Sequence, residues 1–576
     1  MGKGKFGLQP CLVRHGAAAL ALASGFAFSA PAHAQYYVGP SYLRMPGVEA
    51  GPNSPDRYRN WVRAEANYWT LKPLRHQGRG RFNALTFTTS RAPQKGPDVL
   101  SLAVAKTSPA LPALMQKCQR GERIARIDYA ESAEMTRVVW EDAPRPRDVP
   151  EFYEFALKNV TLSCPVVADA PEQAFRLSFE DIEWINSRFE AEPRVLSDSP
   201  AKLAPVTPAG MRKVFVVHWL SAIADSRADQ CPTMNVKPTD ADYYALMSTE
   251  RAAEQRANLA AQGGVTTNEL GFRGPGEMDV TKLPGIVADP GFRKPEVEVV
   301  RGFNLDGDDG TGEPPAHTRK HRNYISPDGR RGIDNQLFSV IGCISNWRRT
   351  GFQPNLSNEM RRAGALSMLF VISGIDDERN DSDVDVTVTY STDPMRRDGG
   401  SKIILPDFTF RLNPAPEYSK AYARFKGRMV DGVIMTDPID TFLLRESKLS
   451  NVTEFYKARL QIELKSDGTM AAVLGGYLDW RSYVHEAFAM GAAYETTIGF
   501  PIPGMYNEVR RAADGLKDSV TGEFNGISAA WEFEGVPAFI PHVQEQALLE
   551  GKIADLAKAG SDSKGASGRG SVAQAR

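Results

Sequence analysis

Two runs of strict alternation constrain this chain most. Tyr153, Phe155 and Leu157 alternate with Glu154, Ala156 and Lys158, and Phe175, Leu177 and Phe179 alternate with Arg176, Ser178 and Glu180. A period of two sends successive side chains to opposite faces of a strand, so each run buries one face and wets the other. Strands are predicted over 81–89, 99–106, 122–131, 135–141, 151–164 and 173–186. Between them Leu111, Leu114, Met115 and Cys118 fall at i, i+3, i+4 and i+7, one apolar stripe of a helix. Ser108 is placed to cap its first turn, Pro109 suits the first helical position, and Gly121 can end it. A helix with one apolar stripe must lie on something, and the flanking strands are the partner at hand. The expectation is a small β-barrel or sandwich carrying one helix.

The same stretch, Thr107 to Asn186, reads TSPALPALMQKCQRGERIARIDYAE, then EFYEFALKNVTLSCPVV and EQAFRLSFEDIEWIN. In order and residue type it resembles the second half of the Hcp (haemolysin-coregulated protein) family, the ring-forming tube component of type VI secretion. The resemblance covers roughly residues 67–189. It implies a β-barrel with one helix, and a homo-oligomeric ring, typically a hexamer, built through that domain.

The opening residues read as an export signal. Lys3, Lys5 and Arg14 form a basic start, 16–30 is a small-residue apolar run, and Ala32-His33-Ala34 before Gln35 is an A-x-A cleavage pattern. Cleavage is predicted after Ala34, with a periplasmic or secreted product. No other apolar run reaches the length of a membrane-spanning helix, so no transmembrane segment is expected after cleavage. Loss of three basic leader residues moves the formal charge from −1 to about −4, which gives no reason to expect nucleic acid as a partner. Cys11 leaves with the leader. Cys118, Cys164, Cys231 and Cys343 remain, an even set in an oxidising compartment. Three pairings are open to them, as are four buried free thiols; domain logic favours Cys118–Cys164 and Cys231–Cys343.

The chain of 576 residues is too long for one ordinary domain. We divide it into a signal peptide (1–34), an extended lead-in (35–60), an Hcp-like β-barrel domain (61–189), a Pro- and Ala-rich linker (190–212), a larger β-rich domain (213–549) and a disordered tail (550–576). In the larger domain, strands are predicted at 213–220, 297–303, 366–373, 384–392, 402–412, 428–435 and 455–465. Helices are predicted at 240–262, at 336–347 and near 506–515. Strands with long decorated loops suggest a β-sandwich-like domain with inserted helices, and the whole chain is expected to be mainly β.

Three acidic loops lie in this second domain: 302–310 with Asn304, Asp306, Asp308 and Asp309; 328–336 with Asp334; and 376–383 with Asp376 and Asp377. Carboxylates crowded on turns repel one another, and a hard cation relieves that repulsion, so Ca2+ is the cofactor to test. The first loop is not an EF-hand, because Asp309 stands where that loop needs Gly and Pro315 where it needs Glu. Turn formation alone also accounts for such residues and is the favoured reading of them. His317 and His321 are four apart but lie in GEPPAHTRKHRN, which does not read as a helix, and a third ligand is not apparent. Tyr477, Trp480 and Arg481 read as strand-end packing with an ion pair. Nucleophile motifs and phosphate loops are missing from the sequence, so no catalytic residue is assigned. The leading expectation is an exported two-domain protein, an Hcp-like assembly module fused to a β-rich binding or scaffold domain. The alternatives are an extended type VI effector with a C-terminal cargo domain, and a periplasmic hydrolase with an accessory Hcp-like domain.

Overall fold

The structure, a computed structural model, describes residues 36–37, 41–50, 58–70, 98–132, 152–165, 170–188, 210–224, 294–344, 347–364, 366–398, 403–419, 421–445, 452–481, 502–518 and 522–552. Residues 203, 230–231, 283–286, 289, 483–484 and three scattered positions between 249 and 257 are also described. The leader, the strands expected at 81–89 and 135–141, nearly all of the helix at 240–262, most of the linker and most of the tail lie outside the described residues.

The mainly-β class holds. The first sheet is antiparallel throughout and contains β1 (Tyr36–Tyr37), β2 (Ser41–Arg44), β3 (Val62–Ala64), β4 (Ala66–Thr70), β5 (Asp98–Ala105), β6 (Arg123–Ser132), β7 (Phe152–Ser163), β8 (Glu172–Phe179) and β9 (Asp181–Arg188). Their order is β1-β4-β5-β8-β7-β6-β2-β3, with β9 against β7. Only Glu65 separates β3 from β4, and its amide donates to the Ala103 carbonyl on β5 at 2.8 Å. The chain therefore runs from one end of the strand path, β3, straight into β4 near the other end, and the sheet curls around Leu100, Leu102, Phe155, Leu157, Phe175 and Leu177. Helix α1 (Leu111–Gln119) lays Leu114 and Cys118 on that core.

Three expectations shift here. The lead-in is part of the sheet, because Ser41–Arg44 pairs with both β3 and β6 and buries Tyr42 and Leu43; its short strands are hidden among Pro and Gly. Helix α1 starts at Leu111 with Ala110 as its N-cap, so Ser108 serves the preceding turn through its carbonyl. The single strand expected over 173–186 is two, broken at Glu180. The partner strand β7 carries Asn159 at φ 52° and pairs with β9 before that residue and with β8 after it.

The larger sheet holds β10 (Met211–Ala222), β11 (Ser367–Ile375), β12 (Asp381–Ser391), β13 (Phe408–Thr409), β14 (Ala423–Val430), β15 (Val433–Thr436), β16 (Ile439–Arg445), β17 (Val452–Leu464), β18 (Met470–Asp479), β19 (Gly515–Lys517) and β20 (Phe524–Phe539). Eight of them close a ring, β10-β11-β12-β14-β15-β17-β18-β20, with β20 returning to β10. The β-rich domain is thus a closed antiparallel barrel where two stacked sheets were expected. Closure removes the free edges that a sandwich keeps. The strand expected over 428–435 is a hairpin turning at Asp431-Gly432, both with positive φ. The strand expected over 402–412 reduces to β13, and that over 297–303 to isolated bridges. Helices α2 (Gln336–Ile341), α3 (Phe352–Arg362), α4 (Pro416–Ser419), α5 (Ile502–Ala512) and α6 (His542–Leu549) decorate the ring.

Cys118 is bonded to Cys164 and Cys231 to Cys343. With separations of 46 and 112 residues, chain-entropy arguments give about 4 and about 5 kcal/mol to these links.

The two sheets meet across a buried charged seam. Glu172, at the start of β8, accepts from the Tyr506 hydroxyl and from Arg510 Nη1 at 3.3 Å. Glu65 lies 3.7 Å from Arg481, which also reaches Glu523 and Asn525 and stacks on Trp480. A Cβ at Gly285 would stand 2.2 Å from the Glu172 carboxylate, so only glycine lets this segment come so close to β8.

Candidate metal centre

The insert of 294–344, between β10 and β11, lies on the outer wall of the larger barrel. Its Val297, Val300, Tyr324, Ile333 and Phe338 form a small core with Ile223 and Ala530. Phe303 presses against β18 where a Cβ at Gly475 would stand 2.2 Å from its ring. Short bridges, Phe303 to Asp334 and Tyr324 to Ile333, cross-link the insert. This packing brings the first two acidic loops face to face.

Asp306, His321 and Asp334 each offer one atom, and the three atoms lie within 4.8 Å of one another. Asp334 is fully buried. Its Oδ2 accepts from the amides of Leu305 at 2.6 Å and Asp306 at 3.2 Å, and its Oδ1 faces His321 Nε2 at 2.8 Å. The other ring nitrogen, Nδ1, lies 2.6 Å from the Arg319 carbonyl, which can only accept, so Nδ1 carries a proton. Asp306 is 8% exposed; Oδ1 accepts from the Asp308 amide, and Oδ2 is buried and accepts nothing. Asp514, 1% exposed, comes from the junction of α5 and β19. Its Oδ1 accepts from the Ser528 amide on β20, and its Oδ2, 3.9 Å from His321 Nε2, is likewise buried and without a hydrogen bond.

The electrostatics follow from the crowding. Among the described residues no Arg or Lys forms a salt bridge with Asp306, Asp334 or Asp514; His321 faces Asp334 and Asp514, and Arg459 on β17 lies in the field of Asp334. Burial works against a charged His321, but the bond to Asp334 and the field of Asp514 outweigh it and lift the imidazole to about 9. Burial raises Asp514 to about 7 against the pull of His321, and it raises Asp334 too. Two neighbouring cations are engaged elsewhere: Arg319 with the Arg511 carbonyl, and Arg322 with the Pro295 and Val297 carbonyls.

Of the seven residues read as metal candidates, the structure brings only Asp306 and Asp334 into this trio. Asn304, Asp308 and Asp309 spend one side-chain oxygen each on their own turns, accepting from the amides of Gly307, Gly310 and Thr311. Asp377 does the same for Arg379 and Asn380 in the β11–β12 turn, where Asp376 lies with it, outside the trio. His317 is exposed and is no part of the cluster, while His321 is. Sequence reasoning missed Asp514. It lies 180 residues from Asp334 in the numbering and carries no local signal; its carbonyl, which accepts from the Arg319 amide, and its carboxylate near His321 tie it to the site.

Beside the trio, a cleft of about 630 Å³ opens along the insert, with Asp308, Asp309, Thr311, Lys320, His321 and Arg331 on its walls. A second hollow of about 220 Å³ lies on the other side of His321, toward Arg319, Glu508 and Arg511. The trio offers mixed nitrogen and oxygen donors to a cation, and the larger cleft offers charged side chains of both signs to a polar ligand.

No family model and no curated protein matches the chain. Among solved structures it is similar to a type VI secretion system effector from Yersinia pestis, at 14% identity and TM-score 0.16 over 25% of this chain and 85% of that one. It is also similar to Hcp2 from Salmonella typhimurium, at 13% identity and TM-score 0.16 over 26% and 90%, and to Hcp1 from the same organism, at 14% identity and TM-score 0.17 over 27% and 89%. At these TM-scores the likeness carries no argument about this chain.

Proposed function

We propose that the protein is an exported scaffold, in which the first barrel is an assembly module and the second a binding module for a polar ligand. The observation that carries this reading is the polar cleft on the outer wall of the closed barrel. Its walls are turns and an insert fixed by packing, so the charged groups are pre-arranged rather than gathered on binding. Support for the first half comes from the helix-and-strand sequence of Thr107 to Asn186, which resembles ring-forming Hcp proteins. The leader and both disulfides accord with a site of action outside the cytoplasm.

Light scattering of the purified full chain without its leader, followed by imaging, tests the assembly. A closed ring is expected, and a strict monomer at high concentration would sink it. Export that depends on a contractile secretion system and not on the leader would favour delivery of the chain as an effector instead.

A further inference from the structure

We propose that Asp306, Asp334 and Nε2 of His321 bind one divalent cation of the Zn2+ class in preference to Ca2+. Three observations carry it. The first is the buried Oδ2 of Asp306, which accepts no hydrogen bond although the residue is 8% exposed. A carboxylate oxygen taken out of water without a partner is costly, and a cation beside it removes that cost.

The second is the orientation of His321. Its Nδ1–H is held by the Arg319 carbonyl at 2.6 Å, which leaves Nε2 turned toward both carboxylates. A ring nitrogen anchored on a backbone carbonyl fixes the tautomer and aim that a metal-ligating histidine needs. Asp334 is anchored in the same sense, its Oδ2 accepting two amides while Oδ1 faces the centre.

The third is the donor set and its spacing. Tetrahedral Zn2+ with ligands at about 2.0–2.1 Å sets neighbouring donor atoms about 3.3 Å apart. The His321–Asp334 pair, at 2.8 Å, opens by about half an ångström to reach that, and no atom of the trio starts more than 4.8 Å from another. Ca2+ asks for six to eight oxygens at longer range. Here one donor is an imidazole, and the carboxamide of Asn304 and one oxygen each of Asp308 and Asp309 already accept from their own turns. Three protein ligands leave a fourth position. His321 also lines the larger cleft, which sets the ion site beside it.

The experiment is a direct titration of the full, disulfide-intact chain after chelator treatment and dialysis, with Zn2+, Mn2+ and Ca2+ in turn, and with Co2+ as an optical stand-in for Zn2+. One equivalent of Zn2+ is expected, bound at least 100-fold more tightly than Ca2+, with Co2+ giving the intense visible bands of a low-coordinate nitrogen–oxygen site. Asp306→Asn and His321→Gln are each expected to weaken Zn2+ at least 10-fold, while Asp377→Asn leaves it unchanged. Should a trio variant fail to fold, the wild-type titration and its Co2+ spectrum decide alone. Absence of Zn2+ binding by the wild type, Ca2+ displacing Zn2+ at equal concentration, or wild-type affinity in both folded trio variants would each overturn the assignment.

Discussion

At the scale of the residue, Glu172 is the side chain whose surroundings ask most of it. It is 1% exposed and faces Tyr506, Arg510 and Arg481 across the seam, with Glu65 of its own sheet beside it. Burial lifts it to about 7; Arg510 pulls the other way, and Glu65 adds to the rise. Between the ordinary value of 4.5 and about 7, the folded chain keeps a proton that the unfolded chain has released. The contribution of Glu172 to stability is therefore full below about pH 4.5 and declines as pH rises through 7. Glu172→Gln keeps the shape and removes the titration. Relative to that variant, the wild type is expected to lose on the order of 2–3 kcal/mol between pH 4.5 and 8, read from denaturant melts across the range. Parallel pH profiles in the two proteins would mean that Glu172 does not titrate there.

Among elements, the insert and β18 depend on each other. Gly475 gives Phe303 its seat, and Gly475→Ala is expected to cost about 1–3 kcal/mol by forcing the ring outward. The displaced insert should then be cut faster within 294–344 in limited proteolysis; an unchanged cutting rate would count against Phe303 as its anchor. This contact also shows where sequence reading runs out. The alternation of Phe155 and Leu157, the stripe through Leu114 and Cys118, and the apolar run of β10 are local signals, and they were legible because burial imposes a short period on them. Asp306, Asp334 and His321 were each visible as chemistry but not as neighbours. What joins them is a glycine in β18, a bridge from Phe303 to Asp334 and a turn after α5, none of which leaves a period in the sequence. The strands β16, β18 and β20 were passed over for a related reason. β18 (MAAVLGGYLD) is rich in Ala and Gly, and β20 is interrupted by Gly526, Gly535 and Pro537.

For the whole molecule, the buried seam joins the first, curled sheet to the larger barrel through charged side chains. Arg481 satisfies Glu65 from the first barrel and Glu523 and Asn525 from the second. Burial would raise Glu65, but Arg63 and Arg481 prevail and hold it below the usual glutamate range. Calorimetry of the wild type is expected to show one transition. Arg481→Met, which leaves Glu65 buried with less compensation, should lower stability by about 3–5 kcal/mol and split the transition in two. A wild type that already melts in two steps would mean the seam does not couple the barrels. The closed ring carries a further consequence. Strand β10 is hydrogen-bonded to β20, whose last residue, Phe539, lies more than three hundred positions downstream of Met211. Ring closure thus waits on the arrival of the final strand, and the loop entropy of that join falls late in folding. Until then β10 presents an open edge to any passing strand, so this barrel is a natural client for a holding chaperone and a slow folder by construction.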